Sequence, residues 1–200
     1  MGFAFAYEEY RGFRVEQVVP PECGKGSVLQ FPGGGHTVPM NLMYRKAAER
    51  LAVNCGCTVY SIDYHTGARL TYPALHDECD RAYAALCKSV LWGGNFVAVG
   101  DSFGANLLLS TCLRARERGL PLPFALVCIS SFIDMAASGD SYRENCYRDP
   151  LYAMPKRCGF AEYEKKLRRI SPYCGNTPPD HPDLSPAYAE LHGLPKTLIL

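Results

Sequence analysis

The sequence predicts an α/β fold built on a doubly wound, mainly parallel sheet in a single domain over residues 1–200. Short apolar, β-branched runs alternate with longer segments of helical apolar period. Two of the predicted strands run directly into glycine-rich turns. A hydrophobic content of 48% in 200 residues is enough for one sizeable core. We expect the sheet to be incomplete at its C-terminus, because a strand opens at Lys196 and the sequence stops at Leu200.

The first part of the chain predicts three strands and a helix between the second and third. Residues 1–13 are aromatic and acidic, and we interpret them as an arm or part of a small lid. The predicted strands cover residues 13–19, 27–31 and 58–62. Asn41 is a candidate N-cap for the helix, which is expected to end near Gly56. Its predicted buried face consists of Met43, Ala47 and Leu51.

From residue 74 onward, helices and strands continue to alternate. A helix that begins at Ala74 and ends at Gly93-Gly94 is marked by Leu75, Cys79, Ala82, Leu86 and Val90. A strand over 95–99 leads through a tight turn into another helix, for which Gly119 is the expected C-cap. The next strand covers 124–129. Residues 134–190 are interpreted as a lid-like insertion with a charged helical piece over 161–170.

Charge and cysteine usage exclude several classes of protein. The formal net charge is +1, from 21 basic and 20 acidic residues, so the sequence does not indicate a nucleic-acid partner. No apolar run reaches the roughly 20 residues of a membrane span, and the N-terminus lacks the basic region and apolar run that predict a signal peptide. The ten cysteines lack the paired spacing of a zinc site. We therefore predict a cytoplasmic protein with free thiols, no metal and no cofactor.

A nucleophile elbow is the first candidate for chemistry. The stretch Gly100-Asp101-Ser102-Phe103-Gly104 fits G-x-S-x-G between a predicted strand and a predicted helix. Such a turn needs neighbours without bulk, which glycine supplies on either side of the serine. Ser102 would then lie at a helix N-terminus, where the helix dipole favours negative charge. The same five-residue pattern also occurs by chance in glycine-rich turns, and only the strand–turn–helix context favours a nucleophile.

The triple glycine after the 27–31 strand is the second candidate. Bare backbone in Pro32-Gly33-Gly34-Gly35 can approach a substrate oxygen and direct N–H groups at it. A flexible turn or a phosphate loop are the alternatives, although the sequence fits neither G-x-G-x-x-G before a helix nor a Walker loop. Both turns follow strands, so they are expected at the carboxyl edge of the sheet, where such folds bind ligands.

Five segments in order resemble the α/β-hydrolases of the hormone-sensitive lipase type, including carboxylesterases. The loop at 32–35 resembles H-G-G-G, residues 63–74 resemble D-Y-R-L-A-P-E-x-x-x-P-A, and residues 100–106 are similar to G-D-S-A-G-G-N. Residues 141–151 and 185–195 resemble the family's lid-side segments. The resemblance spans about residues 26–200, and it implies ester hydrolysis through an acyl-enzyme on Ser102. It also implies oxyanion donors at the N–H groups of Gly34, Gly35 and Phe103.

Several positions depart from the family pattern. Pro32 replaces the first histidine of the loop, Arg69 stands where the family has glutamate, and Phe103 adds bulk that is expected to narrow the pocket. The triad acid and histidine should follow the strand at Lys196 and lie beyond Leu200, so the chain is expected to lack the family's C-terminal third. None of the five histidines resembles the family's base: His36, His65, His76, His181 and His192.

The sequence supports two functional hypotheses from different classes. The first is a serine carboxylic ester hydrolase that acts on short-chain acyl or acetyl esters. The alternative is a non-catalytic α/β-hydrolase-like binding module or an inactive fragment. A nucleotide-binding domain is disfavoured because no phosphate motif is present, and a peptidase on the same fold is disfavoured by the glycine loop followed by Asp63-Tyr64. An unpaired sheet edge would favour a homo-oligomer.

Overall fold

The computed structural model describes residues 4–10, 13–24, 26–91, 95–150, 153, 155, 157–170 and 172–200. These residues form a seven-stranded sheet in the order β1-β2-β4-β3-β5-β6-β7. Its strands are β1 (Ala4–Tyr10), β2 (Phe13–Val19), β3 (Ser27–Phe31), β4 (Thr58–Asp63), β5 (Phe96–Asp101), β6 (Ala125–Ile129) and β7 (Lys196–Ile199). Strand β2 is antiparallel to both β1 and β4, and all other pairs are parallel. The predicted doubly wound, mainly parallel sheet is confirmed.

Helices cover both faces of this sheet. They are α1 (Leu42–Cys55), α2 (Ala74–Ser89), α3 (Phe103–Glu117), α4 (Asp140–Glu144) and α5 (Phe160–Ile170), with short 3₁₀ turns at Pro172–Cys174 and Pro186–Tyr188. Neighbouring residues of β3 point to opposite faces, so Val28 packs with α1 while Leu29 belongs to the core under α2 and α3. Helix α3 is buried along most of its length, which agrees with the apolar run Leu107-Leu108-Leu109 and with few charged residues before its last turn.

Three sequence predictions about these elements need correction. Part of the N-terminal arm is strand β1, which pairs with β2 along its length. The buried face of α1 lies one residue further on, at Tyr44, Ala48 and Ala52, while Met43 is exposed. Helix α2 ends at Ser89 and Val90 is exposed, and the predicted end at Gly93-Gly94 lies outside the described residues.

The segment before β7 is anchored to α3 by a charged cluster. Asp183 accepts hydrogen bonds from Ser110 Oγ and Tyr72 Oη, both at 2.6 Å, and from the guanidinium of Arg114. Arg114 also donates to Asp77 on α2 at 2.7 Å. Burial alone would raise the pKa of Asp183, but these hydrogen bonds outweigh it and lower the pKa to about 2. The cluster therefore joins α2, α3 and the 172–190 segment through Arg114 and its two carboxylate partners, Asp77 and Asp183.

The structure also describes the cysteine thiols, the possible metal ligands and the apolar character of the helices. All ten cysteines lie within the described ranges and are free thiols, and Cys79, Cys112 and Cys128 are buried. In the described part of the chain, no three histidine, cysteine or acidic side chains are placed to hold a metal ion. Among the described helices, none combines the length and apolar character needed to cross a bilayer.

Candidate active site

The turn between β5 and α3 has the strained geometry expected of a nucleophile elbow. Ser102 has φ 52° and ψ −123°, a conformation that residues other than glycine rarely adopt. A Cβ at Gly104 would lie 2.5 Å from the carbonyl oxygen of Pro32, so only glycine allows α3 to approach the end of β3 this closely. The predicted strand–turn–helix context of Ser102 is therefore confirmed.

The glycine loop lies beside this turn because β3 and β5 are neighbours, with Phe31 paired to Gly100. The N–H of Gly33 donates to Asp101 Oδ1 at 3.0 Å, and Tyr44 Oη donates to Asp101 Oδ2 at 2.9 Å. A Cβ at Gly33 would lie 2.5 Å from Asp101 Oδ2, so no side chain fits there. The residue before Ser102 thus holds the loop directly against the elbow.

A second tyrosine, Tyr64, holds the glycine loop through its carbonyl oxygens. The buried Tyr64 Oη lies 2.5 Å from the carbonyl oxygen of Pro32 and 3.1 Å from that of Gly33, and donates its proton to this pair. With Asp101 on its N–H side and Tyr64 on its carbonyl side, the start of the loop is held at both ends. Sequence analysis missed Tyr44 and assigned no role to Tyr64, although both lie in segments that it identified.

Three backbone donors in the glycine loop and at the start of α3 have no partner among the described residues. Within the described residues, no group accepts a hydrogen bond from the N–H of Gly34, Gly35 or Phe103. Gly34 and Gly35 have φ angles of 95° and 64°, which turn the loop away from β3. Phe103 is the first residue of α3, so its N–H lies at the helix end where the dipole places partial positive charge. Backbone donors left unpaired near the surface of a folded protein are available to a ligand anion.

The side chain of Phe103 does not narrow an open pocket, contrary to expectation. It is 2% exposed and packs edge-on against Tyr173, with ring centroids 5.4 Å apart. Its ring also lies 6.4 Å from that of His76, a residue to which the sequence assigned no role. The bulk of Phe103 therefore fills the core beneath the elbow, because the segment around Tyr173 folds back over α2.

His76 belongs to a buried hydrogen-bond network in which the donor and the acceptor of each bond can be assigned. Asn106 Nδ2 donates to the carbonyls of Phe132 and Leu184, so its Oδ1 accepts from His76 Nε2 at 3.2 Å. His76 Nδ1 is then an acceptor, and Tyr173 Oη donates to it at 3.1 Å. This arrangement requires a neutral imidazole. Burial is the main cause that lowers the pKa of His76 to about 4.

This network predicts a pH-dependent stability. Because the pKa of His76 is lower in the folded state than its usual 6.5, the unfolded chain binds a proton more readily. The contribution of the neutral His76 to the free energy of unfolding is therefore complete above pH 6.5 and is lost as the pH falls toward 4. The loss amounts to about 3 kcal/mol at 1.36 kcal/mol per pKa unit. Urea unfolding of wild type and His76→Gln across this range measures it.

The exposed His192 supplies the matched control. The variant His192→Gln is expected to keep the wild-type dependence on pH, whereas His76→Gln loses the part that belongs to the buried imidazole. Parallel pH profiles for wild type and His76→Gln would contradict the assigned network.

The family of the chain follows from comparison with known proteins. The family model described as α/β hydrolase fold matches residues 28–200. This chain belongs to the α/β-hydrolase family. It is 30% identical over 185 residues to an acetyl-hydrolase of Streptomyces hygroscopicus, a match that covers 92% of this chain and 58% of the relative. An esterase of Acinetobacter venetianus is 25% identical over 189 residues, with 94% and 59% covered.

Solved structures agree with this assignment. A crystal structure of a hormone-sensitive lipase from a metagenome library superposes with a TM-score of 0.85 and 29% identity. That match covers 99% of this α/β hydrolase and 65% of the other chain. The chain thus spans about three fifths of the length of the curated relatives it matches.

The described histidines of this α/β hydrolase are not paired with Ser102. No described histidine is hydrogen bonded to Ser102 Oγ. His65 Nδ1 pairs with the buried Glu78 at 2.8 Å, while His181 and His192 are exposed. His36, just after the glycine loop, is 6% exposed, and burial lowers the pKa of its imidazole. Its Nε2 has no hydrogen-bond partner among the described residues.

Proposed function

We propose that this chain carries the nucleophile and the oxyanion donors of a serine carboxylic ester hydrolase. One observation carries the proposal: the strained Ser102 stands beside three backbone N–H groups without partners, those of Gly34, Gly35 and Phe103. A hydroxyl on a sharp turn, with unpaired backbone donors in the adjoining loop, suits attack on a carbonyl whose oxygen becomes negative. The family membership and the names of the relatives support the same chemistry.

The proposed reaction follows from this arrangement. Ser102 Oγ attacks the ester carbonyl carbon, the carbonyl oxygen takes up the negative charge, and the three N–H groups bind it. The alcohol leaves, an acyl group remains on Ser102, and water releases it as the acid. Loss of one oxyanion donor typically costs about 10²–10³ in kcat.

The proposed reaction also requires a triad acid and a histidine base. Asp101 is not the acid in this proposal, because its two oxygens already accept from Gly33 and Tyr44. In this fold the acid and the histidine follow the serine in chain order. We propose that residues following β7 in the full-length product of the gene supply both, since the relatives are longer than this chain.

Short acyl or acetyl esters are the proposed substrates. The support is that one relative is an acetyl-hydrolase and another is the esterase from Acinetobacter venetianus. Because function on a shared fold depends on the site rather than the architecture, substrate class needs its own test.

Turnover of p-nitrophenyl acetate, p-nitrophenyl butyrate and a chromogenic peptide tests the proposal, using the 200-residue chain and the full-length gene product. We expect the full-length protein to hydrolyse both esters and not the peptide, and the shorter chain to remain near background. A folded full-length protein that binds the esters without turnover would instead identify a non-catalytic binding module. Preferential peptide cleavage would identify a peptidase.

The glycine loop gives a prediction with a closely matched control. An alanine at Gly35 meets no atom within 4 Å, but its φ of 64° is strained for any residue with a Cβ. Gly119, beyond the end of α3, has φ 65° and equally open surroundings. Both variants are expected to lose about 1 kcal/mol of unfolding free energy. Only Gly35→Ala is expected to lower kcat, by about tenfold or more, through displacement of its N–H. Equal kcat values in the two variants would contradict a role for Gly35.

A further inference from the structure

Three cysteines meet at the edge of the sheet opposite the candidate active site. Cys55 is the last residue of α1, and Cys57 immediately precedes β4. Between them Gly56 has φ 59°, and the N–H groups of Gly56 and Cys57 donate to Val53 and Ala52 at 3.3 Å each. This is the Schellman pattern that closes a helix, and it turns the chain back within two residues.

Cys23 is brought to the same place by the loop after β2. The N–H of Gly24 donates to the carbonyl of Gly56 at 2.6 Å, and Cys23 Sγ lies 3.3 Å from Thr58 Oγ1. The thiols of Cys23 and Cys55 are exposed, whereas that of Cys57 is 7% exposed. Cys55 and Cys57 flank the left-handed turn at Gly56, so a single residue separates them. Two accessible thiols thus lie beside one sheltered thiol.

An apolar groove of about 540 Å³ borders the two thiols of Cys55 and Cys57. Its other walls include the strand residues Val28, Val97 and Val127. The three thiols are not arranged as metal ligands, since no metal-holding group exists in the part of the chain that the structure describes.

We propose that Cys55 and Cys57 are a redox pair that closes into a disulfide when a hydroperoxide oxidises the exposed Cys55. The Cys55 thiolate attacks the peroxide, whose O–O bond breaks, giving a sulfenic acid and releasing water or an alcohol. The Cys57 thiolate then attacks the Cys55 sulfur, forms the S–S bond and expels the sulfenic oxygen as water. Two thiols are oxidised and one hydroperoxide is reduced.

The environment predicts how the pair behaves. Burial is the first cause that raises the pKa of Cys57, and the neighbouring thiols of Cys55 and Cys23 add to it. Because the thiolate is the reactive form, disulfide closure is expected to accelerate as the pH rises. A ring this small removes little entropy from the unfolded chain, so the bond is expected to be reversible by dithiothreitol.

Peptide mapping tests the proposal on the folded 200-residue chain. After hydrogen peroxide treatment and blocking with N-ethylmaleimide, trypsin releases residues 51–69 with both cysteines and residues 15–25 with Cys23. We expect the 51–69 peptide to lack both labels and to have lost two hydrogens, and dithiothreitol to restore it. Cys55→Ser is expected to abolish this species, while Cys158→Ser, at a cysteine remote in sequence from the cluster, leaves it unchanged.

Two results would overturn the proposal. One is a 51–69 peptide that keeps both maleimide labels at peroxide doses that oxidise methionine, and the other is a disulfide that joins residues 15–25 to residues 51–69. Neither result depends on ester hydrolysis, so this inference and the proposed function are tested separately.

Discussion

Replacing Ser102 with alanine is expected to lower kcat for p-nitrophenyl acetate by about 10⁶-fold in the full-length protein, which leaves only the residual catalysis of the backbone donors. The reason is that the acyl-enzyme route needs the hydroxyl that the β5–α3 turn presents. The backbone donors of Gly34, Gly35 and Phe103 remain in the variant, so substrate binding is expected to change little. Steady-state rates over a range of substrate concentrations separate the two effects.

The matched control for this variant is Ser141→Ala, at an exposed serine on α4. It is expected to retain the wild-type kcat and KM. Turnover by Ser102→Ala that stays within tenfold of wild type, with an unchanged unfolding transition, would show that another residue is the nucleophile.

The second large effect is expected at Asp101, the positioning residue of the glycine loop. Asp101→Ala removes the acceptor of both the Gly33 N–H and the Tyr44 hydroxyl. A misplacement of the oxyanion donors by about 1 Å typically costs about 10²-fold in rate. We therefore expect kcat to fall by about 10²-fold with KM changed much less, because the donors act mainly in the transition state.

Two milder variants distinguish positioning from general destabilisation. Tyr44→Phe leaves the Asp101–Gly33 bond in place, and Asp101→Asn keeps one oxygen that can accept from Gly33. Both are expected to lose about 1–2 kcal/mol of unfolding free energy and to retain kcat within about tenfold. If all three variants lose kcat in proportion to stability, Asp101 has no specific role in holding the loop.

Local patterns were sufficient to predict the elbow and the glycine loop. Each combines a short, largely apolar run with glycines at fixed offsets, and both signals lie within a few residues of Ser102 or Gly34. The order of strands and helices followed from the same periodicity. The parallel arrangement then placed both turns at one edge, since β3 and β5 are adjacent in the sheet.

The features that sequence analysis missed depend on contacts between distant parts of the chain. Tyr44 is 57 residues from Asp101, and its burial fixes which face of α1 meets the sheet, one residue from the predicted face. Tyr173 reaches His76 across 97 residues, which neither periodicity nor spacing reveals. The placement of Phe103 follows from that same contact, so its expected effect on the pocket was wrong.

Trapping the acyl-enzyme tests the central claim most directly. An acid-quenched reaction of the full-length protein with p-nitrophenyl acetate is digested with trypsin, which releases residues 89–114 as one peptide that contains Ser89, Ser102 and Ser110. We predict one acetyl group on this peptide, located on Ser102 by fragmentation and absent from Ser102→Ala. Ester turnover with the acetyl group on another residue, or with none on Ser102, would contradict the assignment of Ser102 as the nucleophile.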